Sequence, residues 1–163
     1  MCDARERAVG GAQVLPLAIA AALMIAACGT ARTRAGVTKA QFAAQADAVC
    51  RGAQAKLAYI TERAAKLGRP SSTPGVMRKE VAVARAATAQ LESLPEPPGE
   101  DATIARWLTA RTVAATVASD AAEAPSGEDV AAVRDVFAEL EAARGRAQRL
   151  ARDYGLEACG ARQ

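Results

Sequence analysis

An all-α domain, built as an antiparallel four-helix bundle with one disulfide and preceded by an N-terminal signal segment, is the fold class this chain predicts. Three observations predict it. Apolar residues recur at steps of three and four through four long segments, and no alternating pattern competes for a strand. Each segment is bounded by helix-start and helix-stop residues. Two cysteines, Cys50 and Cys159, stand near opposite ends of the periodic region.

The first helix is expected over 38–67. Thr38 is placed to cap the amide of Gln41 while the Gln41 side chain reaches back, and Val37 is placed to pack on Phe42 as a hydrophobic staple. Phe42, Ala46, Val49, Ala53, Leu57, Ile60, Ala64 and Leu67 then form one apolar stripe, stopped by Gly68 and Pro70. The second helix is expected over 74–94, with Thr73 as cap, Pro74 at the first helical position and the PEPPG segment as terminator. A third spans 100–123, with acids in its first turn. A fourth spans 127–154, with Ser126 as cap and a stripe of Val130, Val133, Phe137, Leu140, Ala147, Leu150 and Tyr154. Gly145 interrupts it at a cost of ~1 kcal/mol relative to alanine. Short connections between helices of similar length favour the antiparallel arrangement.

Residues 1–27 read as an export signal. Arg5 and Arg7 precede an apolar run from Val14 to Ala27, and small residues close it. A helix over that run is ~21 Å long, short of a hydrocarbon core of ~30 Å, and Pro16 weakens it further as a span. The order Ile25-Ala26-Ala27-Cys28 resembles the lipobox of bacterial lipoproteins, in which the cysteine thiol is diacylglycerylated and the signal is cut just before it. The resemblance covers residues 1 to about 30 and implies a lipid anchor on Cys28. Asp3 and Glu6, which offset the usual positive start, depart from the pattern. Two or three acyl chains would anchor stably where one would not, each buried CH2 contributing ~0.8 kcal/mol. Residues 28–37 would then be a lipidated tether and 38–163 the helical domain. The expected location is the cell membrane, lipid-anchored on the exported side.

Removing residues 1–27 from the 163 leaves 136, the size of one domain. Over the whole chain 21 Lys and Arg face 18 Asp and Glu, a net charge of +3. The charges are spread out, which argues against a nucleic-acid partner. The chain has no histidine, so histidine triads, histidine metal ligands and imidazole acid–base catalysis are excluded. No metal site and no cofactor is expected. The hydrophobic fraction of 51% is dominated by alanine and leaves a thin supply of large core side chains. A partly disordered domain is the compositional alternative.

An exported compartment permits Cys50 and Cys159 to pair. In an up-down-up-down bundle the end of the fourth helix lies beside the start of the first, and Gly155 lets the chain fold back so that Cys159 reaches Cys50. A redox-active pair or a free thiol is the alternative, but neither a CxxC spacing nor an activating histidine is present. The segments FAAQADAVC (Phe42 to Cys50) and YGLEACG (Tyr154 to Gly160) look like the terminal motifs of small helical exported proteins and lipoproteins of actinobacteria. That resemblance covers the two ends of the domain, implies the same bridge and supplies no activity.

No catalytic residue is assigned. Glu100 with Asp101, and Glu139 with Glu141, lack the spacing that puts two carboxylates on one helix face. Arg144, Arg146, Arg149 and Arg152 late in the fourth helix, with Arg32 and Arg34 in the tether, are candidate contacts to anionic headgroups; a solvated helix face is the plainer reading. Trp107 is expected in the core, with an anchor for a ligand or partner as the alternative, and the exposed GRPSSTPG turn (Gly68 to Gly75) is the candidate contact surface, with a linker as the plainer reading. The expectation is a non-enzymatic binding or structural module, touching the membrane through its anchor and an envelope protein as partner. The alternative is a module holding a small apolar or envelope-derived molecule between its helices.

Overall fold

The computed structural model describes residues 36–123 and 130–162. The signal at 1–27, Cys28, Arg32, Arg34, Ser126 and the expected first residues of the fourth helix lie outside the described residues. Helices are the only regular structure among the described residues: α1 (Lys39–Lys66), α2 (Pro74–Glu92), α3 (Asp101–Glu123), α4 (Val130–Tyr154) and a short α5 (Glu157–Gly160). Among them, no helix is long and apolar enough to cross a membrane.

The start of α1 is the capping box its sequence spells. Thr38 Oγ1 accepts from the Gln41 amide at 3.2 Å, and the Thr38 amide donates to Gln41 Oε1 at 2.9 Å. Val37 packs against the core cluster that holds Phe42, as a staple residue should. Thr73 is the N-cap of α2, but its hydroxyl makes no capping bond; the Val76 and Met77 amides donate instead to its backbone carbonyl at 2.8 and 3.0 Å, and Pro74 at the first position has no N–H to satisfy. α2 ends at Glu92, two residues before the expected 94. Ser93 turns its hydroxyl to the Gln90 carbonyl at 2.7 Å, and Leu94 precedes Pro95, which disfavours helical backbone.

The four long helices pack as an up-down bundle in which α1 lies on α2, α2 on α3 and α3 on α4, while α5 bridges α4 to α1. The core is divided. One cluster takes Phe42, Ala46 and Cys50 from α1, Leu91 from α2, Ile104 and Trp107 from α3, Tyr154 from α4, and Leu156 and Cys159 beyond it. Phe42 meets Tyr154 edge-on, ring centroids 5.8 Å apart. A second cluster joins Met77 and Val81 of α2 to Ala118, Ala121 and Ala122 of α3 and Leu140 of α4.

α1 contributes nothing to the second cluster. The stripe expected along its whole length is fully buried only at Phe42, Ala46 and Ala64; Leu57 and Ile60 are half-buried, and Leu67 is 60% exposed. The physical reason lies in α5, which draws the first half of α1 towards α4 and leaves the second half resting on α2 alone. Alanine at the buried contacts of α3 lets neighbouring helices approach closely, offsetting the shortage of large side chains.

Candidate functional site

α1 presents three residues at i, i+3 and i+7 to α5: Asp47, Cys50 and Gln54. Asp47 is buried, and its carboxylate accepts three backbone N–H groups from the first turn of α5. Oδ2 takes the Glu157 amide at 3.0 Å; Oδ1 takes those of Ala158 and Cys159 at 2.9 and 3.1 Å. These are helix-start donors with no partner inside their own helix, and a carboxylate from another helix satisfies them. Gln54 Nε2 donates to the Ala158 carbonyl at 2.7 Å. Cys50 and Cys159 are bonded, S–S 2.02 Å with Cα atoms 5.2 Å apart, across 109 residues of sequence.

α5 is equally tied to α4. The chain leaves α4 through Gly155 at φ +98°, where the Leu156 amide donates to the Ala151 carbonyl at 2.9 Å in a Schellman ending. Leu156 and Ala151, both fully buried, make the hydrophobic contact that accompanies such endings. Arg152 Nη1 donates to the Gly160 carbonyl at 2.6 Å. A Cβ at Gly160 would collide with Arg152 Cγ and press on its backbone nitrogen at 3.2 Å, so only glycine permits this approach.

Of the four arginines in the expected basic group, the structure separates two from the rest. Arg144 pairs with Glu141 at 3.2 Å, and Arg152 is taken up by α5. Arg146 and Arg149 are exposed. Of the carboxylates weighed for catalysis, Glu100 pairs with Lys39 at 3.4 Å, and Glu139 is exposed. Lys39 also sits 4.2 Å from the Tyr154 ring centroid. Burial, then the negative charge of Glu100 and Glu96, pushes the Tyr154 phenol above its ordinary range. Trp107 is 1% exposed, a core residue as expected. Residues 69–72 of the GRPSSTPG turn are exposed.

Two features of α2 and α3 carry charge into the bundle. Glu80 accepts from the Thr61 hydroxyl of α1 at 3.4 Å; burial raises its carboxyl above the usual range against the opposing pull of Arg144. Arg111 reaches from α3 to Cys50 and Thr88, over the Trp107 ring. Two open grooves flank α2. One, of about 530 Å³, runs between α1 and α2 over Val49, Ala53, Val83 and Ala86, with Lys56 and Gln90 beside them. The other, of about 390 Å³, lies between α2 and α3 and carries Glu92, Glu96 and Leu108. Among the described residues no three His, Cys, Asp or Glu side chains gather as a metal site.

Asp47, Gln54 and Arg111 were not singled out from sequence. The first two were findable, because they share a helix face with Cys50 and a carboxylate on a core face must meet donors. Arg111 stands four residues after Trp107, a spacing that allows stacking but does not require it. No family model matches this chain, and no curated protein or solved structure matches it, so its reading rests on its own residues.

Proposed function

We propose that this chain is an exported lipoprotein whose helical domain serves as a non-catalytic binding or structural module of the cell envelope. The observation that carries the reading is Ile25-Ala26-Ala27-Cys28 at the end of a short apolar run, which resembles a lipobox. The Cys50–Cys159 bond supports it, since disulfides persist in exported compartments and are rare where thiols are kept reduced. The expected partners are the membrane, through acyl chains on Cys28, and an envelope protein. Arg146 and Arg149, exposed on α4, are the remaining candidates for contact with anionic headgroups.

Intact mass spectrometry of the membrane-extracted protein tests the anchor and the bridge together. A chain that begins at Cys28, carries added acyl mass and is two hydrogens lighter than its reduced form fits the proposal. A soluble chain with unmodified Cys28 overturns it.

The apolar groove between α1 and α2 favours a second reading, in which the domain holds a small apolar or envelope-derived molecule. Such a molecule raises the unfolding temperature progressively as its concentration exceeds its dissociation constant; a panel of envelope lipids that leaves it unchanged argues for the protein-contact role.

A further inference from the structure

Arg111 is a half-buried cation that pairs with no carboxylate among the described residues. Its guanidinium carbon lies 5.6 Å from the Trp107 ring centroid, Nε donates to Thr88 Oγ1 at 3.4 Å, and Nη1 points to the disulfide sulfur of Cys50 at 3.9 Å. Both acceptors are neutral and both contacts are long. Among the described residues the ion pairs are Lys39–Glu100, Lys66–Glu62, Arg134–Asp135 and Arg144–Glu141, and Arg111 belongs to none. Burial alone pushes the guanidinium below its ordinary value, yet arginine does not give up its proton in a protein, so the charge persists.

A guanidinium offers five N–H donors in a planar fork, and two are engaged here. Arg111 is half-buried, so part of its side chain is open to solvent. Trp107 lies at cation–π distance from the guanidinium, and Thr88 Oγ1 accepts from its Nε side. What remains are three N–H groups in one plane, close to an aromatic ring. Two coplanar oxygens on one atom match that fork; a halide does not.

We propose that Arg111, seated on Trp107 and Thr88, binds a small oxyanion, a carboxylate or a phosphate, in the bundle beside the Cys50–Cys159 bond. The site is independent of the lipid anchor and of the groove between α1 and α2.

Trp107 is the one tryptophan of the chain, so its emission reports directly on the stacked guanidinium. The test uses the full chain in detergent, titrated with inorganic phosphate, acetate or octanoate at constant ionic strength maintained with chloride. The expected result is a saturable change in emission with a dissociation constant on the order of 1 mM, the scale of one partly desolvated bidentate contact. Arg111→Lys keeps the charge but loses the fork and weakens binding roughly tenfold. Arg111→Met abolishes saturation. Tighter binding of octanoate than acetate identifies an amphiphile as the source of the carboxylate, and saturation by phosphate alone identifies a phosphate ligand. Emission of the wild-type chain that shows no saturable change with any of the three anions overturns the proposal, as does an undiminished response in either variant. Far-ultraviolet circular dichroism verifies folding, and if Arg111→Met does not fold, the lysine variant decides.

Discussion

Replacing Asp47 by alanine should release α5 from α1 on the non-covalent side while leaving the disulfide in place. Three amides lose their acceptor. The Glu157 residue is exposed, so its amide can turn to water; Ala158 is half-buried and Cys159 is buried, and their amides have no such recourse. A hydrogen bond to a charged group contributes about 1.5–3 kcal/mol, and two such losses, discounted for partial rehydration, give about 3 kcal/mol. For a domain of this size that corresponds to a drop of about 10 °C in unfolding temperature. Asp47→Asn keeps one acceptor oxygen and should cost about half as much. Thermal denaturation followed by circular dichroism measures both, and amide hydrogen exchange should show protection lost first at Ala158 and Cys159. A loss below about 1 kcal/mol for the alanine variant, or unchanged protection at those amides, would refute the assignment of Asp47 as the acceptor that holds α5.

Reducing the Cys50–Cys159 bond should cost about 4–5 kcal/mol in the chain-entropy model, read as a fall in urea midpoint with dithiothreitol; an unmoved midpoint after complete thiol labelling contradicts that. Gly160→Ala should destabilise without altering helix content, because its methyl meets Arg152, and restoring space with Arg152→Ala should recover part of the loss in a double-mutant cycle. Leu156→Ala should cost roughly 2–5 kcal/mol, since the side chain is fully buried at the junction of α4, α5 and α1. Glu80 carries a raised carboxyl pKa, so the folded state binds its proton more tightly than the unfolded state, and its contribution to stability falls as pH rises through the window above the usual value of 4.5. Glu80→Gln should therefore raise the unfolding temperature slightly at neutral pH, with the gain vanishing below pH 4.5; a gain that persists in acid contradicts burial as the cause.

The long helices were legible because each carries its own punctuation. Thr38 and Gln41, Pro74, the prolines after Leu94, and Gly155 act within a turn of where they stand, so local chemistry sets those boundaries. The pairing of Cys50 with Cys159 was legible from connectivity. α5 was not, because four residues hold little more than one turn and its helical state is imposed from outside by Asp47 and the cross-link. Periodicity likewise treated α1 as uniform, whereas the buried length of its stripe depends on where α5 draws it in. The position of Arg111 depends on three helices meeting, which spacing along one of them does not encode.

The cross-link has a mechanical consequence. It joins a point eleven residues past the start of α1 at Lys39 to a point beyond the end of α4. Tension applied between the two ends of the domain is carried from Cys50 straight to Cys159, and the chain between them, a sequence separation of 109, is bypassed. Pulling therefore unravels at most the opening turns of α1 and the last few residues, while α2, α3 and the second cluster feel no load. A domain cross-linked in this way keeps its shape under traction that would unzip an uncross-linked bundle.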